Sequence, residues 1–281
     1  MKVYIETDLE GVAGMVYFDT HEMRAGDIAN RKMLTRETNA AVEGAFEAGA
    51  SQIVVNDDHG AGSNLLLEEM HPDLKFVLGK KTKLLEGIDE SFDAIFFIGQ
   101  HAMMNAYDGV LNHTFSAVGI NRIWLNNAPM GELGLRIAIG AYYNVPTILV
   151  SGDTAAVKEA EDMLGHIEAV AVKESISRYC TISIHPVKAR EMIKESAKKA
   201  ITRLKDYSVY RLSPPYEIKI EYTFSDSALM STNKIPGVKR LDERTISYQD
   251  DELPPTINIL ELAITEQAGV VKRIDQAITT S

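Results

Sequence analysis

Val3-Tyr4-Ile5-Glu6-Thr7-Asp8-Leu9-Glu10-Gly11 is an apolar, β-type run that breaks into two carboxylates and a glycine. Residues two apart in an extended chain point to the same side, so Asp8 and Glu10 can aim at one point. Glu6 is expected to face away from that pair, solvated or ion-paired. Gly11 permits a sharp turn. Two convergent carboxylates repel unless a proton or a cation sits between them. Oxygen donors of this kind are half of a metal site.

The same texture recurs along the chain. Ile53-Val54-Val55 reads as a short buried strand that runs into Asn56-Asp57-Asp58-His59-Gly60, and Ala94 to Ile98 as another that runs into Gly99-Gln100-His101. Ile123-Trp124-Leu125 is a further strand, followed by a helix from Gly131 to Tyr143. Thr147 to Val150 is the next strand, ending in Ser151-Gly152-Asp153. Arg31 to Ala48 has apolar residues near helical spacing and is closed by Gly49. Strands alternating with helices predict an α/β fold, a mostly parallel sheet with helices on both faces.

Beyond about Arg178 the pattern changes. A charged amphipathic helix is expected over Val187 to Leu204, a half-exposed strand over Tyr216 to Phe224, a polar irregular stretch over Ser225 to Pro255, and a last helix from near Thr256. The chain therefore divides, as read, into a metal-binding α/β catalytic domain, 1–180, and a smaller α+β C-terminal domain, 181–281.

In open α/β sheets ligands bind beyond the carboxyl ends of the strands. Asp8, Glu10, Asp57, Asp58, His59 and His101 all leave the sheet at that edge. Glu132 opens the helix after the fourth strand, and His113 lies in the loop between the third and fourth. Each has an ordinary reading by itself. Asp8 could form a turn, Asp57 and Asp58 could begin a helix, and Glu132 could complement the helix dipole. His59 and His101 could be packed, hydrogen-bonded residues. Their coincidence at one edge points to metal. Mixed histidine and carboxylate donors suit zinc, manganese or iron. The set exceeds what one tetrahedral zinc with an open position requires, and fits two metals about 4 Å apart bridged by a carboxylate. His21, His71, His166 and His185 read as structural or exposed.

The 281 residues carry 45% apolar and 25% charged residues and a formal charge of −11. That balance gives an ordinary globular protein with no basic face for nucleic acid. Cys180 is the single cysteine, which favours a cytoplasmic setting without disulfides. No signal peptide is read at the start, and no apolar run approaches the roughly 20 residues of a membrane span.

Thr7-Asp8-Leu9-Glu10-Gly11, Val55-Asn56-Asp57-Asp58-His59, Ile98-Gly99-Gln100-His101-Ala102, Gly109-Val110-Leu111-Asn112-His113-Thr114 and Pro129-Met130-Gly131-Glu132-Leu133-Gly134 occur in that order. The set resembles the dinuclear-zinc D-aminopeptidase family of the dipeptide-operon type. The likeness runs through about the first 180 residues, including Gly152-Asp153 and Val172 to Arg178, and is loose beyond them. The resemblance implies two Zn2+ per subunit, with Asp8 shared, Glu10 and His101 completing one site, and His59 and Glu132 the other. It implies His113 as the catalytic histidine, acting as nucleophile or acid–base. It also implies a homodecamer of two pentameric rings acting on short peptides with a free N-terminal D-residue, D-alanine above others. Gln100 and Asn112 depart from the family, where tyrosine and serine are expected. Asp57 and Asp58 are candidates to receive the substrate's amine. A metallohydrolase acting on another small amide would use the same ligands, whereas a ring-forming peptide binder would need neither metal nor His113.

Overall fold

The computed structural model of the chain describes residues 1–17 and 24–279. His21 lies outside the described residues. The chain runs β1 (Lys2–Thr7), α1 (Arg24–Glu47), β2 (Gln52–Asp57), β3 (Lys75–Val77), β4 (Ala94–Gln100), β5 (Ile120–Leu125), β6 (Ala128–Met130), α2 (Glu132–Tyr142), β7 (Thr147–Asp153), α3 (Thr154–Leu164), β8 (Glu168–Ser177) and β9 (Cys180–Ser183). It continues through α4 (Pro186–Thr202), β10 (Tyr216–Tyr222), α5 (Ser225–Lys234), β11 (Lys239–Arg240), β12 (Thr245–Asp250) and α6 (Leu253–Thr279).

A seven-stranded sheet has the order β3-β2-β1-β4-β7-β8-β9. All its pairings are parallel except β8 with β9. Strands β4 and β7 are buried at every residue, as parallel strands covered on both faces should be. Successive side chains feed two cores. Val3, Ile5, Phe96 and Ile98 pack with Leu34, Ala41 and Ile193 of α1 and α4. Tyr4, Ile95 and Phe97 pack with Leu135, Ile139, Ile123 and Ile218 on the other side.

Ile123-Trp124-Leu125 does not join this sheet. It belongs to a second, antiparallel sheet of order β11-β12-β10-β5-β6. Its alternating burial, with Ile123 and Leu125 inward and Arg122 exposed, differs from the continuous apolar run of Ala94 to Ile98 and suits a sheet buried on one face. The stretch expected to be irregular, 225–255, holds α5, β11 and β12, which complete that second sheet. The two sheets are interleaved along the chain, since β5 and β6 precede residue 180 and pair with strands that follow it. Helix α4 in turn packs back onto α1 and β8. Helix α2 is buried almost all round, touching β4, β7, β6 and α6.

Strand order reverses at β1 and β4, the switch point where a crevice opens beyond the strand ends. The backbones there nearly touch. A Cβ on Gly11 would lie 2.0 Å from the Gln100 carbonyl oxygen, and one on Gly99, at φ +76°, would lie 2.1 Å from that of Asp8. Only glycine fits either position. Gly11 N donates to Gly99 O at 2.8 Å, which fixes the acidic turn against the end of β4.

Candidate metal centre

Beyond this switch point lies a cavity of about 310 Å³ with Asp8, Glu10, His59, His101, His113 and Glu132 on its surface. The five candidate metal ligands and His113 therefore face one space. Their donor atoms form two clusters, Asp8–Glu10–His59 and His101–His113–Glu132, each with its atoms within 4.8 Å of one another. His59 Nε2 lies 3.2 Å from Glu10 Oε1. His101 Nε2 lies 3.5 Å from Asp8 Oδ2 and 3.4 Å from Glu132 Oε1. The shortest contacts among these donors pair Glu10 with His59 and His101 with both Asp8 and Glu132.

The three imidazoles are oriented alike. The Nδ1 of His101 faces Ala102 O at 2.9 Å, that of His113 faces Leu111 O at 2.9 Å, and that of His59 faces Asn64 Oδ1 at 3.2 Å. Donation from Nδ1 to an oxygen fixes the tautomer that presents Nε2 to the cavity, as a metal-binding histidine requires. Glu10 Oε2 is buried without a hydrogen-bond partner. A buried carboxylate oxygen left this way calls for a cation.

The acidic turn is held from behind. Lys173, buried by β8, donates from Nζ to Glu10 O, to Val12 O at 3.1 Å and to Met15 O at 2.7 Å. Burial pushes its ammonium down to about 8. Glu37 of α1 accepts from Ala13 N at 2.9 Å. The His113 loop is held as firmly. Leu111 and Phe115 adopt left-handed backbone, φ 53° and 59°, an uncommon conformation for such side chains. Val110 N donates to Asp153 at 2.6 Å, Leu111 N to Arg178 O at 2.8 Å, and Phe115 N to Glu132 Oε1 at 2.7 Å. The His101 and His113 rings stack with centroids 4.0 Å apart.

Arg136 is the site residue that the sequence reading missed. One helical turn after Glu132, its buried guanidinium lies 3.1 Å from Glu132, 2.8 Å from Asp58, 3.3 Å from Glu6 and 3.8 Å from Asp8. The available signal was a lone charge, at i+4 from Glu132, in the apolar run Leu133 to Ile139. Its contacts correct one expectation. Glu6 is buried on the same side as Asp8, paired with Arg136 and accepting from Gln100 Nε2 at 2.7 Å. Asp57 is fully buried and off the cavity, whereas Asp58 lines the cavity with its carboxylate paired to Arg136. Asp57 accepts from Asn64 N and Leu65 N at 2.5 and 2.8 Å, and Asp58 is held by Arg136.

Charge is distributed unevenly. Burial and the nearby Glu10 raise Asp8 to about 7 against the pull of His101 and Arg136. Burial would raise Glu10 too, but the His59 charge and hydrogen bond hold it well below the carboxylate range. Burial opposes a charge on His59, yet Glu10 raises it to about 10. Burial and the His101 charge push His113 down.

His71, His166 and His185 lie elsewhere, against Phe46, against Tyr207, and at the start of α4.

Residues 1–262 match the family described as D-aminopeptidase, peptidase family M55. The chain belongs to the D-aminopeptidase family. The match runs well past residue 180, where the motifs alone become loose. The D-aminopeptidase of Bacillus subtilis (strain 168) is 30% identical over 275 residues, covering 95% of this chain and 98% of the relative. A solved relative, the zinc-dependent D-aminopeptidase DppA from Bacillus subtilis, is described as a self-compartmentalizing protease. It superposes with a TM-score of 0.89 at 28% identity, covering 95% of this chain and 98% of its own. The mostly parallel α/β fold is thus common to this chain and a D-aminopeptidase.

Proposed function

We propose that this protein is a zinc-dependent aminopeptidase that releases an N-terminal D-residue, D-alanine above others, from short peptides at a two-zinc centre. The observation that carries this reading is the pair of three-donor clusters on the surface of one cavity. The names of the two relatives support the metal and the substrate class. The residues fit two ions, since three Nε2 atoms converge there and Glu10 Oε2 lacks a partner. Asp8 would serve both ions, with Glu10 and His101 completing one site and His59 and Glu132 the other. When bound, zinc supplies Lewis acidity to the scissile carbonyl and to water.

The chain's own part is proton transfer and orientation. Burial favours the neutral form of His113. With Nδ1 turned to Leu111 O, its Nε2 is the proton-accepting atom. It takes a proton from the attacking water and returns it to the leaving amine. Direct attack by His113 would use the same atom. Leu84, Phe115 and Ile264 add apolar wall to the cavity. Inverting the substrate's α-carbon exchanges hydrogen for side chain against such a wall. A misplaced methyl costs about 1–3 kcal/mol.

We extend self-compartmentalization from the solved relative to this chain, as a closed homo-oligomer of ten subunits in two pentameric rings that would admit short peptides and exclude folded proteins. Cys180 is exposed and free, which suits the cytoplasm. Among the described residues no helix is long and apolar enough to cross a membrane.

The zinc-loaded protein should hydrolyse D-Ala-D-Ala or D-Ala-Gly-Gly at least about ten times faster than L-Ala-Gly-Gly. N-acetylated peptides should resist, and chelation should abolish turnover. Equal rates on D- and L-peptides would refute the stereochemical reading. Full activity in protein shown by elemental analysis to be metal-free would refute the metal.

A further inference from the structure

The cavity lining carries groups of both charges. Asp8, Glu10 and Glu132 of the metal centre are acidic. The segment after β3 brings Lys80, Lys81 and Lys83 to the same space. This segment is not a loose tether. Gly79 N donates to Gly62 O at 2.8 Å, Leu84 and Leu85 are buried in the core, and the Tyr4 hydroxyl donates to Glu86 O at 2.8 Å.

The three lysines differ. Lys81 is half-buried and its Nζ donates to Asp57 O, so it anchors the segment beside the His59 turn. Lys83 lies 3.5 Å from Glu86 in an exposed pair three residues apart, an interaction that water and ligands easily replace. Lys80 is exposed and forms no salt bridge among the described residues. Its charge acts on Glu261 of α6, on the same cavity wall. Against three lysines stand Glu86 and Glu261, so this rim keeps a net positive charge.

We propose that Lys80 and Lys83 form a carboxylate-binding rim that reads the free carboxylate of a short peptide whose N-terminal residue sits at the metal centre. This rests on the peptidase reading above and narrows its substrate to free di- and tripeptides. A short peptide placed this way brings its carboxylate to the lysines, where the charges are opposite. A longer or amidated chain puts a neutral amide against the lysines and forfeits the charge-assisted hydrogen bonds. The volume of about 310 Å³ lies at the small end of ligand pockets, as a short peptide requires.

The test compares D-Ala-Gly, its C-terminal amide, and D-Ala-D-Glu α-amide, whose only carboxylate is the side chain. With zinc-loaded wild type, amidation of D-Ala-Gly should raise KM about tenfold, with a smaller change in kcat. In Lys80→Ala/Lys83→Ala the acid and amide should come within about twofold of each other. If D-Ala-D-Glu α-amide regains the low KM, a carboxylate from either source serves. If it behaves as the plain amide, the rim reads the terminal α-carboxylate. Both results support the rim. Equal KM for acid and amide in wild type, or an unchanged ratio in the double variant, would overturn it. Calorimetric binding of D-Ala-Gly and its amide to zinc-loaded His113→Ala separates this proposal from the activity. Discrimination in binding without hydrolysis of any D-peptide by wild type would keep the rim and end the peptidase reading. Hydrolysis without discrimination would do the reverse.

Discussion

The two halves of the site are built from the same kinds of donor but by different means. Asp8, Glu10 and His59 come from the ends of two adjacent parallel strands, β1 and β2. Parallel pairing alone puts them side by side, with Thr7 in register with Asp57. His101, His113 and Glu132 come from the end of β4, a loop with two left-handed residues, and a helix entered from the second sheet. Nothing local brings these three together. The first half is stabilised by one short ion pair, His59 with Glu10. The second depends on Arg136, which offsets the charge of Glu132 and ties it to Glu6, Asp8 and Asp58 at the strand ends of the first half. The comparison teaches that adjacency in a sheet can supply one metal-binding group cheaply, while a second group assembled across elements needs a buried counter-charge.

The sharpest way to break this contrast is Arg136→Met. It leaves Glu6, Asp58 and Glu132 buried without their cation, and such a loss costs about 3–5 kcal/mol. Calorimetry of the metal-free protein should show a fall in Tm of roughly 10 °C. A Tm near that of wild type would mean that the second half is held by something else.

The next effect falls within the second half. His113→Ala should lower kcat about 100-fold, the scale of a lost acid–base group, while elemental analysis shows unchanged zinc. Loss of metal in this variant would make His113 a ligand and leave the two halves more alike than described.

The smallest effect probes the first half through pH. His59 is raised from the ordinary 6.5 to about 10 by Glu10. Its contribution to the stability of the metal-free protein is therefore fully present below about 6.5 and lost as pH rises through 10. Glu10 is held low, so the pair also survives well below the usual carboxylate range. The Tm gap between metal-free wild type and His59→Asn should be widest near pH 6 and close by pH 10. A gap that widens with pH would show that the pair does not stabilise this half.

The sequence by itself determined the donors and their edge. Apolar runs ending in Asp8, Glu10, His59 and His101 announce parallel strands, and the period of two with the strand-end rule makes them converge. Glu132 at a helix start and His113 in a loop after the third strand were legible as donors by type and position, without showing how they arrive. Tertiary structure alone decided that β5 leaves the parallel sheet, because membership in a sheet depends on which partner edge is open and not on the strand's own residues. It alone made Arg136 a counter-charge to four carboxylates, since a single basic residue in an apolar helix has no local pattern to reveal its partners; the side Glu6 takes already follows from the period of two that places Asp8. It also brought Lys80 and Lys83 to the cavity that holds the donors, because which loop closes a cavity is settled by packing far along the chain and not by the loop's own sequence.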